Sequence, residues 1–335
     1  MKPKLRLISL LVLTILLILG WFVYASIGVV KNMEEQDIYY SYVEGQRLLQ
    51  GENPYERILS GDMRINDKYA TYFPLFYEFS YLVQALGREG FDGWLDVWRF
   101  VFVMCCLGTG VLLFLPFWHI GLEWIGIFAS AFWLFNRWTL TVISIVHLDF
   151  LAIVFLVGSL LALPRNRNLS LLLYSVSLAF KHIAIFLLPL YLIWIWISLD
   201  RDHWKEIFKS LLWIGSIPLL SAIPFLIWNA KGFLLSISFS LTRFAFSSFS
   251  ASSLDDFMDW NGIPGRVPML ILFVLVYWFV GSRQIAIYTG AFLIMSIFIG
   301  FNSVLFVQYM VWLVPLTLLL ILDLTEKRFH FAVGD

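Results

Sequence analysis

Apolar runs of roughly twenty residues recur along the whole chain, and this pattern constrains the fold more than any other feature of the sequence. A run of that length is enough for a helix to cross the hydrocarbon core of a bilayer. Charged residues make up 14% of the 335 residues, against about a quarter in a typical soluble domain. The sequence therefore predicts an all-α polytopic membrane protein, a single transmembrane domain over residues 1–335 with about 10–12 transmembrane helices.

Basic residues indicate which ends of these helices face the cytoplasm. Lys2, Lys4 and Arg6 precede the first apolar run, which we interpret as a retained helix because it is too long for a cleaved signal peptide. Further basic residues lie at 165–167 and 201–209. The positive-inside rule then places residues 31–70 outside the cytoplasm as the first long loop, and residues 229–266 there as the second. We expect a multi-pass protein of the bacterial plasma membrane.

Three segments between these landmarks carry specific expectations. Residues 73–86 are predicted to cross the membrane as the second helix and return the chain to Arg88 and Arg99. Residues 119–147 are read either as two short helices broken at Asn136 or as one short helix followed by a re-entrant segment. Residues 169–198 are too long for one ordinary helix, and we expect a hairpin with Lys181 at its extracytoplasmic tip.

The polar residues within and beside the apolar segments are expected to lie at one membrane face, opposite the basic loops. They are Asp37, Tyr72, His147, Asp149, Lys181, His182, Arg243, Asp255, Asp256, Asn302, Gln308 and Tyr309. Each has an ordinary reading, such as a solvated loop acid, a lysine that extends to lipid headgroups or an interhelical hydrogen bond. Ionisable residues in a membrane are nevertheless costly and usually functional. Their common face favours a single site.

No other chemistry competes with a site at that face. The sequence has no nucleotide-binding loop, no dinucleotide fingerprint and no cysteine or histidine spacing typical of zinc. No basic block indicates a nucleic-acid partner, and the formal net charge is zero.

Several motifs carry a family likeness. In chain order they are Asp37-x-Tyr39, Gly51-x-Asn53-Pro54-Tyr55, Tyr72-Phe73-Pro74-Leu75, Phe180-Lys181-His182 and Gln308-Tyr309-x-x-Trp312-x-x-Pro315. In this order they resemble polyprenyl-phosphate-dependent mannosyltransferases of the GT-C superfold. The likeness is to the bacterial alpha-mannosyltransferase-like family and, more distantly, to the catalytic subunit of the eukaryotic GPI mannosyltransferase. It spans residues 37 to 315.

The resemblance implies a GT-C-like bundle whose first extracytoplasmic loop carries the active site. The reaction would be an inverting transfer of a hexose, with mannose as the expected sugar, from a polyprenyl-phosphate donor to a lipid, glycan or protein acceptor. Asp37 would be the general base, taking the proton of the acceptor hydroxyl. Membrane lipids would surround the helices and the polyprenyl tail.

The resemblance also assigns roles to further residues. The donor phosphate would be bound by Lys181, His182 and Arg243. The substrate-binding residues would be Glu35, Tyr39, Tyr40, Tyr55, Tyr72, His147, Asp149, Gln308 and Tyr309. Members of the family often have a second acid two positions before the catalytic aspartate, where this chain has Glu35. The spacing is kept but the residue differs, which leaves the use of a divalent cation open, and no metal ligands or other cofactors are assigned.

Three other functions remain as alternatives. A membrane transporter would suit the number of helices and the buried charges, but the sequence has no inverted repeat and its polar residues do not gather at the midplane. Another lipid-linked enzyme, such as a ligase or polymerase of surface glycans, would share the face and the donor type, although its large loop is usually late in the chain. A non-catalytic scaffold would have no need of Asp37.

Overall fold

A computed structural model describes residues 3–59, 70–199, 202–239, 246–247, 253–258, 260, 263–302 and 304–332. The α-helices of the first half are α1 (Pro3–Ser26), α2 (Asp37–Leu49), α3 (Leu75–Ala85), α4 (Phe91–His119), α5 (Glu123–Phe135), α6 (Arg137–Ser144) and α7 (Asp149–Ala162). Those of the second half are α8 (Arg167–Phe180), α9 (Leu188–Ile197), α10 (His203–Ser238), α11 (Leu254–Phe257), α12 (Ile263–Gly281), α13 (Ile287–Gly300) and α14 (Val307–Ala332). The prediction of an all-α fold is confirmed.

Short elements complete the described chain. Three 3-10 helices cover Met33–Glu35, Glu56–Leu59 and His182–Leu187. Two strands of two residues each, β1 (Phe246–Ser247) and β2 (Val304–Leu305), pair in parallel.

Within the described residues, four helical segments are long and apolar enough to cross a membrane, and they support the membrane prediction. They are Lys4–Ser26, Phe91–His119, His203–Ser238 and Val307–Thr325. Large apolar side chains are exposed along such helices, including Leu7 at 70% and Ile227 at 82% of their surface. Exposed apolar surface of this extent is costly in water and suits contact with lipid.

The prediction that residues 73–86 cross the membrane is wrong. Helix α3 has 11 residues, about 16 Å of helix, which is too short to cross alone. It packs instead against α2, where Ser80 donates to the Ser41 carbonyl at 2.8 Å and Gln84 donates to the Tyr42 carbonyl at 3.0 Å. The link that follows α3 stays nearby, because the Tyr42 hydroxyl donates to the Glu89 carbonyl at 2.6 Å. Helices α2 and α3 therefore form a hairpin at one end of the bundle.

The structure agrees with the expectations for residues 119–147 and for the hairpin in residues 169–198. Residues 119–147 form two short helices, α5 and α6, separated at Asn136. The Asn136 side chain accepts a hydrogen bond from the Thr139 backbone N–H at 3.1 Å and so caps α6. Residues 167–197 form the expected hairpin, with Lys181 in extended conformation (φ −152°, ψ 114°) between α8 and the following 3-10 helix.

Candidate active site

The packing of α7 against α8 places a carboxylate beside a lysine. The two helices are antiparallel: Ser159 donates to the Ser170 carbonyl, and Ser177 donates to the Ala152 carbonyl, both at 2.7 Å. The same register, continued to the end of the pair, sets the first residue of α7 against the residue that follows α8. These residues are Asp149 and Lys181.

Asp149 and Lys181 form a buried ion pair. Their side chains are 0% and 5% exposed, and Lys181 Nζ lies 2.6 Å from Asp149 Oδ1. Trp312, in the second turn of α14, donates its indole N–H to the same oxygen at 2.9 Å. An unpaired carboxylate would be very costly at such a position, so this cation and this donor are what make the buried charge tolerable.

His147 joins the buried acid to an acid near the surface. Its Nδ1 lies 2.9 Å from Asp149 Oδ2, and its Nε2 lies 3.4 Å from Asp37 Oδ2. Burial lowers the pKa of His147, but the carboxylates of Asp149 and Asp37 outweigh that effect and the repulsion from Lys181, so its pKa is raised above the usual value. The imidazole is therefore held between two carboxylates in an environment that favours its cationic form.

Asp37 is the member of this group that faces outward. It is the first residue of α2, and its side chain is 29% exposed, in contrast to the fully buried Asp149. The backbone N–H groups of a helix's first turn stabilise a negative charge there. We call Asp37, His147, Asp149, Lys181 and Trp312 the acid–histidine cluster. It joins an accessible carboxylate to a buried, rigidly paired one.

The hairpin of α2 and α3 sets the position of Asp37. Glu44, also in α2, is buried and lies 2.9 Å from the Arg57 guanidinium, which ties the 3-10 helix at Glu56–Leu59 to α2. Burial raises the pKa of Glu44 to about 7, while Arg57 and Arg47 act in the opposite direction. This second polar group supports the helix that carries Asp37.

Two aromatic rings flank the ammonium of Lys181. Lys181 Nζ lies 5.4 Å from the ring centre of Tyr72 and 5.8 Å from that of Tyr309. A cation over an aromatic face is stabilised by the ring's quadrupole. These two tyrosines come from the segment before α3 and from the first turn of α14, so five separate parts of the chain converge on the cluster.

The structure thus brings together six of the residues predicted for the site. They are Asp37, Tyr72, His147, Asp149, Lys181 and Tyr309. Trp312 belongs with them but was not among the predicted site residues, although it is part of the last motif. The signal that could have found it is spacing: Trp312 follows Tyr309 by three residues, so the two share a helix face.

The remaining residues predicted near Asp37 lie on its flanks. Glu35 is exposed in the 3-10 helix before α2 and accepts a hydrogen bond from Asn32 at 3.1 Å. Tyr39 packs edge-on against Phe91 and Tyr40, with ring centres 5.1 and 5.9 Å apart. Glu35 therefore precedes α2 on the surface, and Tyr39 and Tyr40 pack against each other in its first turn.

Tyr55 requires a correction. It is fully buried, its hydroxyl donates to the Tyr72 carbonyl at 2.7 Å, and its ring packs against Phe225 and Phe233. A side chain with no exposed surface and a used hydroxyl is a packing residue here and not a contact for a substrate. Its effect on the site is to hold Tyr72.

Three further predicted residues have different outcomes. His182 begins the 3-10 helix after Lys181 and lies against the rings of Phe73 and Tyr72 at 5.9 and 6.3 Å, away from the carboxylates of the cluster. Gln308 is buried in the first turn of α14. Arg243 lies outside the described residues. Among the residues that the structure describes, no group of three or more His, Cys, Asp or Glu side chains is placed to hold a metal ion.

No protein-family model matches this chain, and no curated protein matches it. A function for the cluster has to be argued from its own geometry and from the order of its motifs.

Proposed function

We propose that this protein is an integral membrane glycosyltransferase with Asp37 as its general base. It moves a hexose, with mannose as the expected sugar, from a polyprenyl-phosphate donor to a lipid, glycan or protein acceptor. The reaction is an inverting single displacement. The acceptor hydroxyl gives its proton to Asp37, its oxygen bonds to the anomeric carbon, and the bond from that carbon to the phosphate oxygen breaks to leave polyprenyl phosphate.

The observation that carries this proposal is the connection from Asp37 through His147 to Asp149. A general base needs to be ionised, accessible and fixed in direction. Asp37 is accessible, the imidazole of His147 provides a cationic neighbour that favours the carboxylate form, and the Asp149 carboxylate lies 2.9 Å from the ring on its other side. A buried acid that orients a histidine beside a reacting group is a recurring arrangement in acyl-transfer enzymes, although the reaction here is different.

Lys181 supports departure of the phosphate. Its ammonium has three N–H donors, and the contact at 2.6 Å to Asp149 uses one of them. The remaining donors lie between the rings of Tyr72 and Tyr309, at a place screened from water. A fixed cation in a poorly solvated site stabilises the charge that develops on a leaving phosphate. Arg243, which follows α10 in the sequence, is a second candidate for this role.

The membrane arrangement follows from where the cluster lies. Its members are at the start of α2 and α7, just after α8 and at the start of α14. We propose that the long helices α1, α4, α10 and α14 cross the membrane, that the shorter helices α5, α7, α8, α9, α12 and α13 pack among them within it, and that the cluster lies at the extracytoplasmic end of this bundle. The polyprenyl tail then lies between apolar helices while the sugar reaches Asp37. The side chains of Glu35, Tyr40 and Gln308 are proposed as further contacts for the sugars.

The alternative, a transporter, would also use coupled titratable groups. Coupling sites of transporters lie near the membrane midplane on broken helices. The acid–histidine cluster instead occupies the ends of four helices, and this favours chemistry at one face over passage between two faces.

Sugar transfer by the purified protein tests the proposal. Liposomes that contain the protein and polyprenyl-phosphate-mannose labelled in the sugar are incubated with lipid extract and membrane proteins as acceptors. We expect covalently bound label from this donor and none from guanosine-diphosphate mannose. Transfer from the nucleotide sugar would contradict the donor assignment. Movement of free labelled sugar across sealed vesicles, without covalent transfer, would favour the transporter.

A further inference from the structure

A cavity of about 420 Å³ lies at the end of the bundle opposite the acid–histidine cluster. It is bounded by the turn between α7 and α8, the end of α9 and the link between α12 and α13. Leu161 is part of its wall, and twelve residues of α7 separate Leu161 from Asp149, which is about 18 Å along the helix axis. The cavity is therefore a separate site and is not an extension of the proposed active site.

Two arginines give this cavity a positive character. Arg165 and Arg283 both line it, and both side chains are exposed. Over the described ranges of the chain, neither guanidinium forms an ion pair. Arg283 donates to the carbonyl of Ile197, the last residue of α9, at 2.8 Å, and this hydrogen bond holds its side chain against the end of that helix. Its other N–H groups remain free of protein carboxylates.

The acid that lines the cavity does not neutralise these two cations. Asp323, in α14, turns its carboxylate toward the start of α13, where Oδ2 accepts hydrogen bonds from the Thr289 backbone N–H at 2.7 Å and from the Thr289 hydroxyl at 2.9 Å. This capping contact satisfies the first turn of α13. The two exposed arginines therefore present positive charge to a ligand that enters the cavity.

The other walls of the cavity are apolar. Ile120, Leu161, Ile197 and Trp194 surround the charged side. A small inorganic anion gains no binding energy from apolar walls. The glycerol and first acyl carbons of a phospholipid would contact these walls and remove their apolar surface from water. The cavity also lies among the ends of apolar helices, which is the depth at which lipid phosphates are found in a bilayer.

We infer that this cavity binds the phosphodiester headgroup of an anionic membrane phospholipid. The guanidinium groups of Arg165 and Arg283 bind the phosphate oxygens, since guanidinium forms paired hydrogen bonds with phosphate and is weakly hydrated. Basic pockets between membrane helices on the cytoplasmic side bind acidic headgroups in this way. The bound lipid bridges α7, α9 and α12–α13 and stabilises their packing. This inference does not depend on the glycosyltransferase proposal.

Thermal unfolding of the full-length protein in detergent tests the inference with defined lipids. Phosphatidylglycerol, phosphatidylcholine and inorganic phosphate are titrated separately. We expect phosphatidylglycerol to raise the unfolding midpoint in a saturable way, while the other two have little effect. The double variant Arg165→Gln, Arg283→Gln should weaken the apparent affinity for phosphatidylglycerol about ten-fold or more.

Two further variants separate this site from general charge effects. Arg88→Gln removes an exposed arginine near the other end of the bundle and should leave the titration unchanged. Ile120→Trp keeps both arginines but fills part of the cavity and should weaken binding. An equal response of wild type and the double variant to phosphatidylglycerol would overturn the inference. An equal response to inorganic phosphate would show that the arginines bind a free anion and not a lipid.

Discussion

The residue before His147 has a strained backbone. Val146 has φ 49° and is buried, although a β-branched side chain strongly disfavours the left-handed region. Strain of this kind persists where surrounding packing fixes it and is common at functional sites. Here it turns the chain sharply between α6 and α7, so that His147 points to Asp37 on one side and Asp149 on the other.

Removal of the imidazole should impair catalysis far more than folding. His147→Gln keeps a polar side chain of similar length but cannot become a cation beside Asp37. We expect kcat to fall about 100-fold or more, as for other acid–base groups. In wild type the cationic form extends above its ordinary pH range because the pKa of His147 is raised. The rate should therefore decline at pH values above that raised pKa in wild type but not in the variant.

A histidine outside the cluster provides the control for this prediction. His119 is exposed in the last turn of α4, at the opposite end of the bundle. His119→Gln should leave both kcat and the pH profile unchanged. An unaltered pH profile in His147→Gln would remove the imidazole from the mechanism.

The hairpin of α2 and α3 determines the position of Asp37. Gly45 is at the closest approach of the two helices: a Cβ at this position would lie 2.3 Å from Ser80 Oγ and 2.9 Å from Ser80 Cβ. Since the Ser80 Cβ cannot move without its backbone, a side chain at Gly45 must separate the helices. The position of the base thus depends on a residue two turns away from it.

Gly45→Ala should therefore lower both stability and activity. Overpacking of this kind costs about 1–3 kcal/mol, and the displaced α2 should reduce kcat. The measurement is thermal unfolding together with the transfer assay. Gly28→Ala is the matched control, because a Cβ at Gly28 has no atom within 4 Å. Equal stability of the two variants would contradict the described packing of α2 on α3.

The length of an apolar segment explains which elements could be predicted from the sequence. The break at Asn136 and the tip at Lys181 were predictable because a polar residue interrupts an otherwise apolar stretch. The path of α3 was not, since an apolar segment of 10–14 residues suits an interfacial or buried helix as well as a crossing one. Its packing on α2 depends on Gly45, Ser80 and Gln84, which form a contact between distant positions that periodicity does not reveal.

In the candidate site, too, contacts between positions distant in the sequence could not be predicted. The structure brings together Asp37, His147, Asp149 and Lys181, which the sequence predicted for a single site because ionisable residues in an apolar chain are usually functional. The pairing of these residues is set by the register of α7 on α8, which follows from contacts such as that of Ser177 with the Ala152 carbonyl. Sequence alone therefore located the group of residues but did not reveal that Trp312 contacts it or that Tyr55 packs against Phe225 and Phe233.

If Asp37 acts outside the cytoplasm, the cluster and the basic turns face opposite sides of the membrane. Glu34 is exposed just before α2, and Lys205 is exposed in the first turn of α10. Arg167 pairs with Glu206, which keeps the starts of α8 and α10 at one end. In a background with Cys105→Ser and Cys106→Ser, an impermeant maleimide should label Glu34→Cys in intact spheroplasts and Lys205→Cys only after permeabilisation. Equal labelling of both before permeabilisation would contradict the proposed sidedness.

The role of Asp37 as the general base is tested most directly by comparing two carboxylates in the first turns of neighbouring helices. Asp37 begins α2 and belongs to the cluster, whereas Asp92 is exposed in the first turn of α4 and forms no part of it. Transfer from polyprenyl-phosphate-mannose is measured with purified wild type, Asp37→Asn and Asp92→Asn, each shown by thermal unfolding to be folded. We predict that Asp37→Asn abolishes transfer while Asp92→Asn retains it. Equal transfer by wild type and a folded Asp37→Asn would contradict the assignment of Asp37 as the base.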